Sequence, residues 1–124
     1  MSDLNQWWEN AMQPYAVVDN VLVVNAQDLK DYDPAFEEAI ETLLSQPKTA
    51  LHIDLRRVKY LSSVYIGLIA AAFFSANEKK CSLHVKGQHR TISLLRAAGL
   101  DGWVQLETAE DLPDEAKPRK RKDD

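Results

Sequence analysis

Ile53-Asp-Leu-Arg-Arg-Val-Lys-Tyr-Leu-Ser-Ser-Val-Tyr-Ile-Gly67 decides the fold. Leu51, Ile53 and Leu55 alternate with His52, Asp54 and Arg56, a period of two that marks a strand. After a short loop comes an apolar segment from Val64 to Phe74, in which Ala70-Ala-Ala72 favours helix over a second strand. The order is strand, loop, helix, with Ser62 and Ser63 at the mouth of the helix. A serine there can accept a hydrogen bond from a first-turn N–H as a cap. The helix dipole and free amides also favour negative charge at that point. The hydroxyl is therefore either a plain cap or the acceptor of a phosphate.

The chain of 124 residues is one domain with a short tail, and 45% apolar residues suffice for a core. A net charge of −4 gives no general attraction to nucleic acid or anionic membranes. A single cysteine, Cys81, excludes an internal disulfide framework and fits a reducing compartment. The longest apolar run is too short for a bilayer span of roughly 20 residues, and residues 1–12 do not read as a signal peptide. The expectation is a cytoplasmic protein without membrane insertion or direct nucleic-acid binding.

Outward from the central stretch, residues 1–14 are expected to hold an amphipathic helix. Leu4, Trp7, Trp8 and Ala11 fall on one face and Pro14 ends it. Two tryptophans form a large apolar face, for packing on the domain itself or docking a partner. Tyr15 to Asn25 reads as a hairpin turned at Asp19-Asn20, and Ala26 to Tyr32 as a polar connection. Asp33-Pro34 supplies cap and first residue of a helix bearing Phe36, Ala39, Ile40, Leu43 and Leu44, stopped at Gln46-Pro47-Lys48. After the central unit, Asn77 to Lys80 is a polar break. Ser82 to Lys86 alternates as a strand, and Thr91 to Ala98 is helical with Gly99 as its left-handed terminus. Trp103 to Leu106 reads as a last strand, and Thr108 as the start of a stunted helix. Residues 113–124 form a charged tail with nothing to build a core, expected to be disordered.

Strands linked through helices pair in parallel, and the hairpin adds an antiparallel N-terminal edge. A sheet covered on both faces would read as continuous apolar runs, whereas these strands alternate. The expectation is a two-layer α/β domain over residues 15–112. It has a mixed sheet with helices mainly on one face, and His52, Asp54, His84 and Lys86 on the other.

His52, Asp54 and His84 can converge if their strands are neighbours, as a metal or acid–base site requires. Outward alternation on a half-exposed sheet explains the same three residues, so no metal site is assigned. Ser63 lacks a G-x-S-x-G elbow. The four glycines, all spaced apart, form neither a phosphate loop nor a dinucleotide fingerprint. No catalytic residue or cofactor is expected, and the chain does not read as an enzyme.

Asp54-Leu-Arg-Arg-Val-Lys-Tyr-Leu-Ser-Ser-Val-Tyr-Ile-Gly67 resembles the signature of the STAS domain, the fold of bacterial anti-sigma factor antagonists. That signature is roughly D-L-x-x-V-x-F-(I/L/M)-D-S-(S/T)-G-(L/I)-(G/A). Leu94-Leu-Arg-Ala-Ala-Gly-Leu100 is similar to the family's L-L-x-x-x-G-L segment, and the element order agrees from about Tyr15 to Leu106. In the family, the serine after the aspartate is phosphorylated by a serine kinase of the histidine-kinase-ATPase type, and a serine phosphatase restores it. The unphosphorylated antagonist binds that kinase, which is also the anti-sigma factor, and so frees the sigma factor. The resemblance implies that Ser63 is the phosphate acceptor, with Ser62 as an alternative. It implies a partner-binding face of Tyr60, Ser62, Ser63, Val64, Tyr65 and Leu68, in a monomer or weak dimer. Three motif positions differ: Ser62 stands for the aspartate, Val64 for the second hydroxyl and Tyr65 for the glycine. The resemblance also leaves room for an accessory or scaffold module that never cycles, such as a subunit on a transport ATPase.

Overall fold

The computed structural model describes residues 13–109. The tryptophan-bearing segment 1–12 and the charged tail lie outside the described residues.

Strands β1 (Tyr15–Val18) and β2 (Val21–Val24) form the expected antiparallel hairpin. Its turn is made possible by Asp19, whose φ is 56°. Helix α1 (Pro34–Leu44) begins as the sequence requires: Asp33 accepts a hydrogen bond from the Ala35 amide at 3.0 Å, and Pro34 takes the first helical position. Strand β4 (Ala50–Leu55), helix α2 (Ser63–Glu78), strand β6 (Ser82–Gly87) and helix α3 (His89–Ala97) come next. Gly99 takes φ 87°, the left-handed conformation that releases the chain from α3. The last strand, β7 (Gln105–Thr108), ends the described fold.

The five-stranded sheet has the order β1-β2-β4-β6-β7, parallel at every pair except the hairpin. Leu22 and Val24 on β2, Leu51, Ile53 and Leu55 on β4, and Leu83 and Val85 on β6 face one way. They form a single core with Phe36, Ile40 and Leu43 of α1, Ile69 and Ala76 of α2, and Ile92 and Leu95 of α3. Each fully buried side chain of this size stabilises the fold by roughly 1.5–3 kcal/mol against leaving it in water. The two-layer, mixed-sheet α/β architecture expected from the alternation is the one observed.

On the other sheet face His52 stands beside His84, and Asp54 beside Lys86, as expected. That face is not polar throughout. Val21 and Val23 of β2 extend the same rows, so its β1–β2 side is apolar.

Four features differ from expectation. The connection 26–32 contains a short strand, β3 (Asp28–Leu29), pairing in parallel with β5 (Tyr60–Leu61) in the loop before α2. A two-residue strand leaves no periodicity to read. Helix α2 runs on through Asn77 and Glu78 and ends only where Lys80 takes φ 62°. The last strand starts two residues late. A short 3-10 turn (Leu100–Gly102) comes after Gly99, and Trp103 leaves the strand direction to stack on Phe73. Thr108, expected to start a helix, closes β7 instead, and residues 110–124 lie outside the described residues.

Candidate functional site

The loop from Arg56 to Ser62 carries the candidate site between β4 and α2, and it is pinned from both sides. At its root, Asp54 is 6% exposed and receives three hydrogen bonds from Arg56: from the backbone amide (3.0 Å), Nε (3.0 Å) and a terminal guanidinium nitrogen (2.9 Å). A bidentate ion pair with a backbone bond on the same carboxylate fixes the direction in which the chain leaves β4. From one side, Gln88, the N-cap residue of α3, donates to the Arg56 carbonyl (2.7 Å), and the buried Thr91 hydroxyl within α3 donates to the Val58 carbonyl (3.3 Å).

On the opposite flank, segment 27–31 offers a run of carbonyls. Gln27 accepts from the amides of Lys59 (2.7 Å) and Tyr60 (3.2 Å), and Leu29 accepts from the amide of Ser62 (2.9 Å). Lys30 accepts from the Ser62 hydroxyl (2.8 Å) and Asp31 from the Tyr65 hydroxyl (2.7 Å). Two side chains of the altered motif, Ser62 and Tyr65, are thus committed to one neighbouring segment, the residues just after β3.

This corrects one expectation about the helix mouth. Ser62 is the N-cap by backbone, with φ −85° and ψ 167°, but its side chain makes no capping bond. Its hydroxyl is spent as a donor to Lys30. Ser63 is the first helical residue, not a cap. It is exposed, and its hydroxyl makes no hydrogen bond among the described residues. No acidic residue occupies the first turn of α2, so the positive end of the helix dipole stands unopposed there.

Of the other residues expected on the partner face, Tyr60 and Val64 are exposed at 51% and 44%, and Leu68 is half-buried. Tyr65 is the exception. It is 1% exposed and packs edge-on against Phe36 (ring centroids 5.0 Å), which in turn meets Tyr15 edge-on (5.5 Å). Tyr65 is a core residue with a polar tip, so it presents no surface to a partner. Burial holds the Tyr15 phenol well above its ordinary pKa, helped by Tyr65 and Asp33.

Between the loop, the start of α2 and α3 lies a groove of about 500 Å³, mostly apolar in its lining. Ser63, Tyr60, Ile66 and Leu94 line it, with the cations Lys59 and Arg90. Sequence inspection missed Arg90 and Lys59, because only the fold brings the start of α3 beside the start of α2.

The polar sheet face holds no comparable site. His52 and His84 stack with centroids 4.8 Å apart, and Ser82 shares a hydrogen bond with His84 Nε2 (3.0 Å). Asp54 is engaged by Arg56, and among the described residues no three His, Cys, Asp or Glu side chains are placed to share a metal ion. Burial, followed by the neighbouring His84 and Lys86, depresses the His52 pKa, while Glu107 opposes the shift.

The family model described as "Mlab, STAS domain" matches residues 19–112, about three quarters of the chain. The chain belongs to the STAS domain family. Among curated proteins none matches it. The STAS match runs from the hairpin turn through β2, the pinned loop, α2 and α3, so the candidate site lies within the matched residues. No helix among the described residues is long and apolar enough to cross a membrane.

Proposed function

We propose that this STAS domain is a phosphorylatable anti-sigma factor antagonist whose switch is Ser63. The unphosphorylated form binds a serine kinase of the histidine-kinase-ATPase type, which doubles as the anti-sigma factor. Phosphorylation releases it, and a serine phosphatase resets the cycle. The observation that carries this reading is the division of labour between adjacent serines. Ser62 is tied to Lys30, whereas Ser63 stands exposed at the start of α2 with its hydroxyl unbonded among the described residues.

The switch acts through the interface, with the fold nearly unchanged. A phosphate adds about −1.5 to −2 charges at neutral pH. The start of α2 tolerates that charge through its dipole and amides, and Lys59 and Arg90 line the adjoining groove. A partner surface closed over Tyr60, Val64 and Leu68 does not tolerate it, because burying an unmatched charge costs several kcal/mol. Each ~1.4 kcal/mol lowers affinity tenfold. The test is partner binding by Ser63→Ala and Ser63→Asp: the first stays bound constitutively, and the second binds weakly while melting like the parent.

A second reading rests on the altered motif. Ser62 and Tyr65, which stand for the family aspartate and glycine, are turned into the fold. A STAS module that serves as a scaffold, or as a subunit on a transport ATPase, needs no cycling serine. Equal partner affinity for Ser63→Ala, Ser63→Asp and parent favours it.

A further inference from the structure

One end of the sheet face away from the helices is shielded by something outside the helix-side core. Residues directly opposite on neighbouring strands share a face. Ala16, Val23 and Asp54 therefore form one row on this face, and Val18, Val21 and His52 the next. Ala16 is 5% exposed, whereas Val18, two residues along the same strand and on the same face, is 47% exposed. β1 is the edge of the sheet, so no strand flanks Ala16 on its outer side. Ala16 takes no part in the core to which α1, α2 and α3 contribute. A methyl group at a sheet edge is kept from water only by a cover lying over it, and this cover stops short of Val18. His52, two strands in, is half-buried, and burial is the first cause of its lowered pKa.

Residues 1–12 join the sheet at the covered end. Asn25 holds that junction: its backbone amide donates to the Pro14 carbonyl (2.7 Å) and its side-chain amide to the Gln13 carbonyl (2.8 Å). The segment therefore enters β1 just before Ala16, at the end of the strand away from Val18. Leu4, Trp7, Trp8 and Ala11 make the apolar side expected of it, and two tryptophans so near the junction need a surface to bury them. A helix over residues 3–12 extends about 15 Å. Strands lie roughly 4.8 Å apart, so that length spans β1, β2 and β4. On β2 it meets Val21 and Val23, neither of which packs against the helix-side core.

We infer that residues 3–12 form a helix that lies across this face of their own chain and seats Trp7 and Trp8 over Ala16 and Val23, reaching toward His52. The segment is a third layer over β1, β2 and β4. The β6–β7 side of the face, with His84, Lys86 and Glu107, is left uncovered. The tether favours this occupant over any other. A segment joined to the face through Gln13 and Pro14 is present there at an effective concentration of about millimolar. A second copy, or a separate protein, meets the same patch without that advantage.

Nuclear Overhauser spectra of the full chain test this without a kinase or a phosphate, so it stands or falls separately from the Ser63 reading. The indole protons of Trp7 or Trp8 are expected to contact the methyl groups of Ala16 and Val23. A mixture of labelled and unlabelled chains should show no such contact between copies. Tryptophan fluorescence gives a second readout in a Trp103→Phe background, where only Trp7 and Trp8 emit. Ala16→Glu should shift that emission to the red while keeping the parent's circular dichroism, and Val18→Glu, beyond the cover, should leave it in place. Contacts found only between copies overturn the proposal and give the face to a second chain. Contacts to Val17 and Ala39 instead overturn it by moving the segment to the groove between β1 and α1. Indoles that contact no residue of the sheet, with emission unmoved by Ala16→Glu, overturn it outright.

Discussion

The Tyr65 hydroxyl donates to the Asp31 carbonyl at 2.7 Å, tying the first turn of α2 to the segment that precedes α1. Its ring fills the space between α2 and Phe36. The side chain replacing the family's glycine thus acts as an internal brace. Tyr65→Phe keeps the packing and removes the bond, so it should lower stability by about 1 kcal/mol. Tyr65→Ala also opens a cavity and should cost about 3–5 kcal/mol. Urea denaturation of the two variants separates these contributions.

Asp54 sets the departure of the switch loop from β4. Removing its charge with Asp54→Asn weakens three bonds from Arg56 at once. A loss of about 2 kcal/mol is expected for charge-assisted bonds of this kind. Hydrogen exchange should quicken at the amides of Val58 to Ser62, while the α3 amides keep their protection relative to global stability.

His52 gives the fold a pH dependence of definite sign. Its pKa is lowered in the folded state, by burial first and then by His84 and Lys86. The unfolded chain therefore binds a proton more readily than the native one. Stability from this group is present above the ordinary imidazole value of 6.5 and is lost as pH falls through it toward the depressed folded value. Melting curves between neutral and mildly acidic pH should show that loss, and His52→Gln should reduce it.

Gly99 holds φ 87° where α3 hands over to the 3-10 turn. A Cβ there meets no neighbour, so space is no obstacle and the cost is conformational. Gly99→Ala should destabilise by about 1 kcal/mol, measurable by chemical denaturation, with little effect on partner binding.

Much of this architecture was legible in the chain. The alternation around Ile53 and Val85 identified the inner strands and the covered face, and Asp33-Pro34 and Gly99 marked helix ends through their own backbone preferences. The pinned loop was not legible. Its β3–β5 pairing spans two residues a side, too short for a period, and its carbonyl acceptors carry no side-chain signature. The two serines read alike in sequence. Only the placement of Lys30 distinguishes them, by taking up the Ser62 hydroxyl. Tyr65 was misleading for a similar reason: an aromatic residue at a motif position reads as a contact, and its burial depends on Phe36, 29 residues away in the chain.

The central claim is that Ser63 accepts the phosphate. Intact-mass and peptide-mapping mass spectrometry of the protein isolated from its native host, with and without phosphatase treatment, tests it most directly. The account predicts a single phosphatase-sensitive phosphate on Ser63, still added in Ser62→Ala and absent in Ser63→Ala. A phosphate found on Ser62, or a Ser63 that stays unmodified under every growth condition, would contradict it.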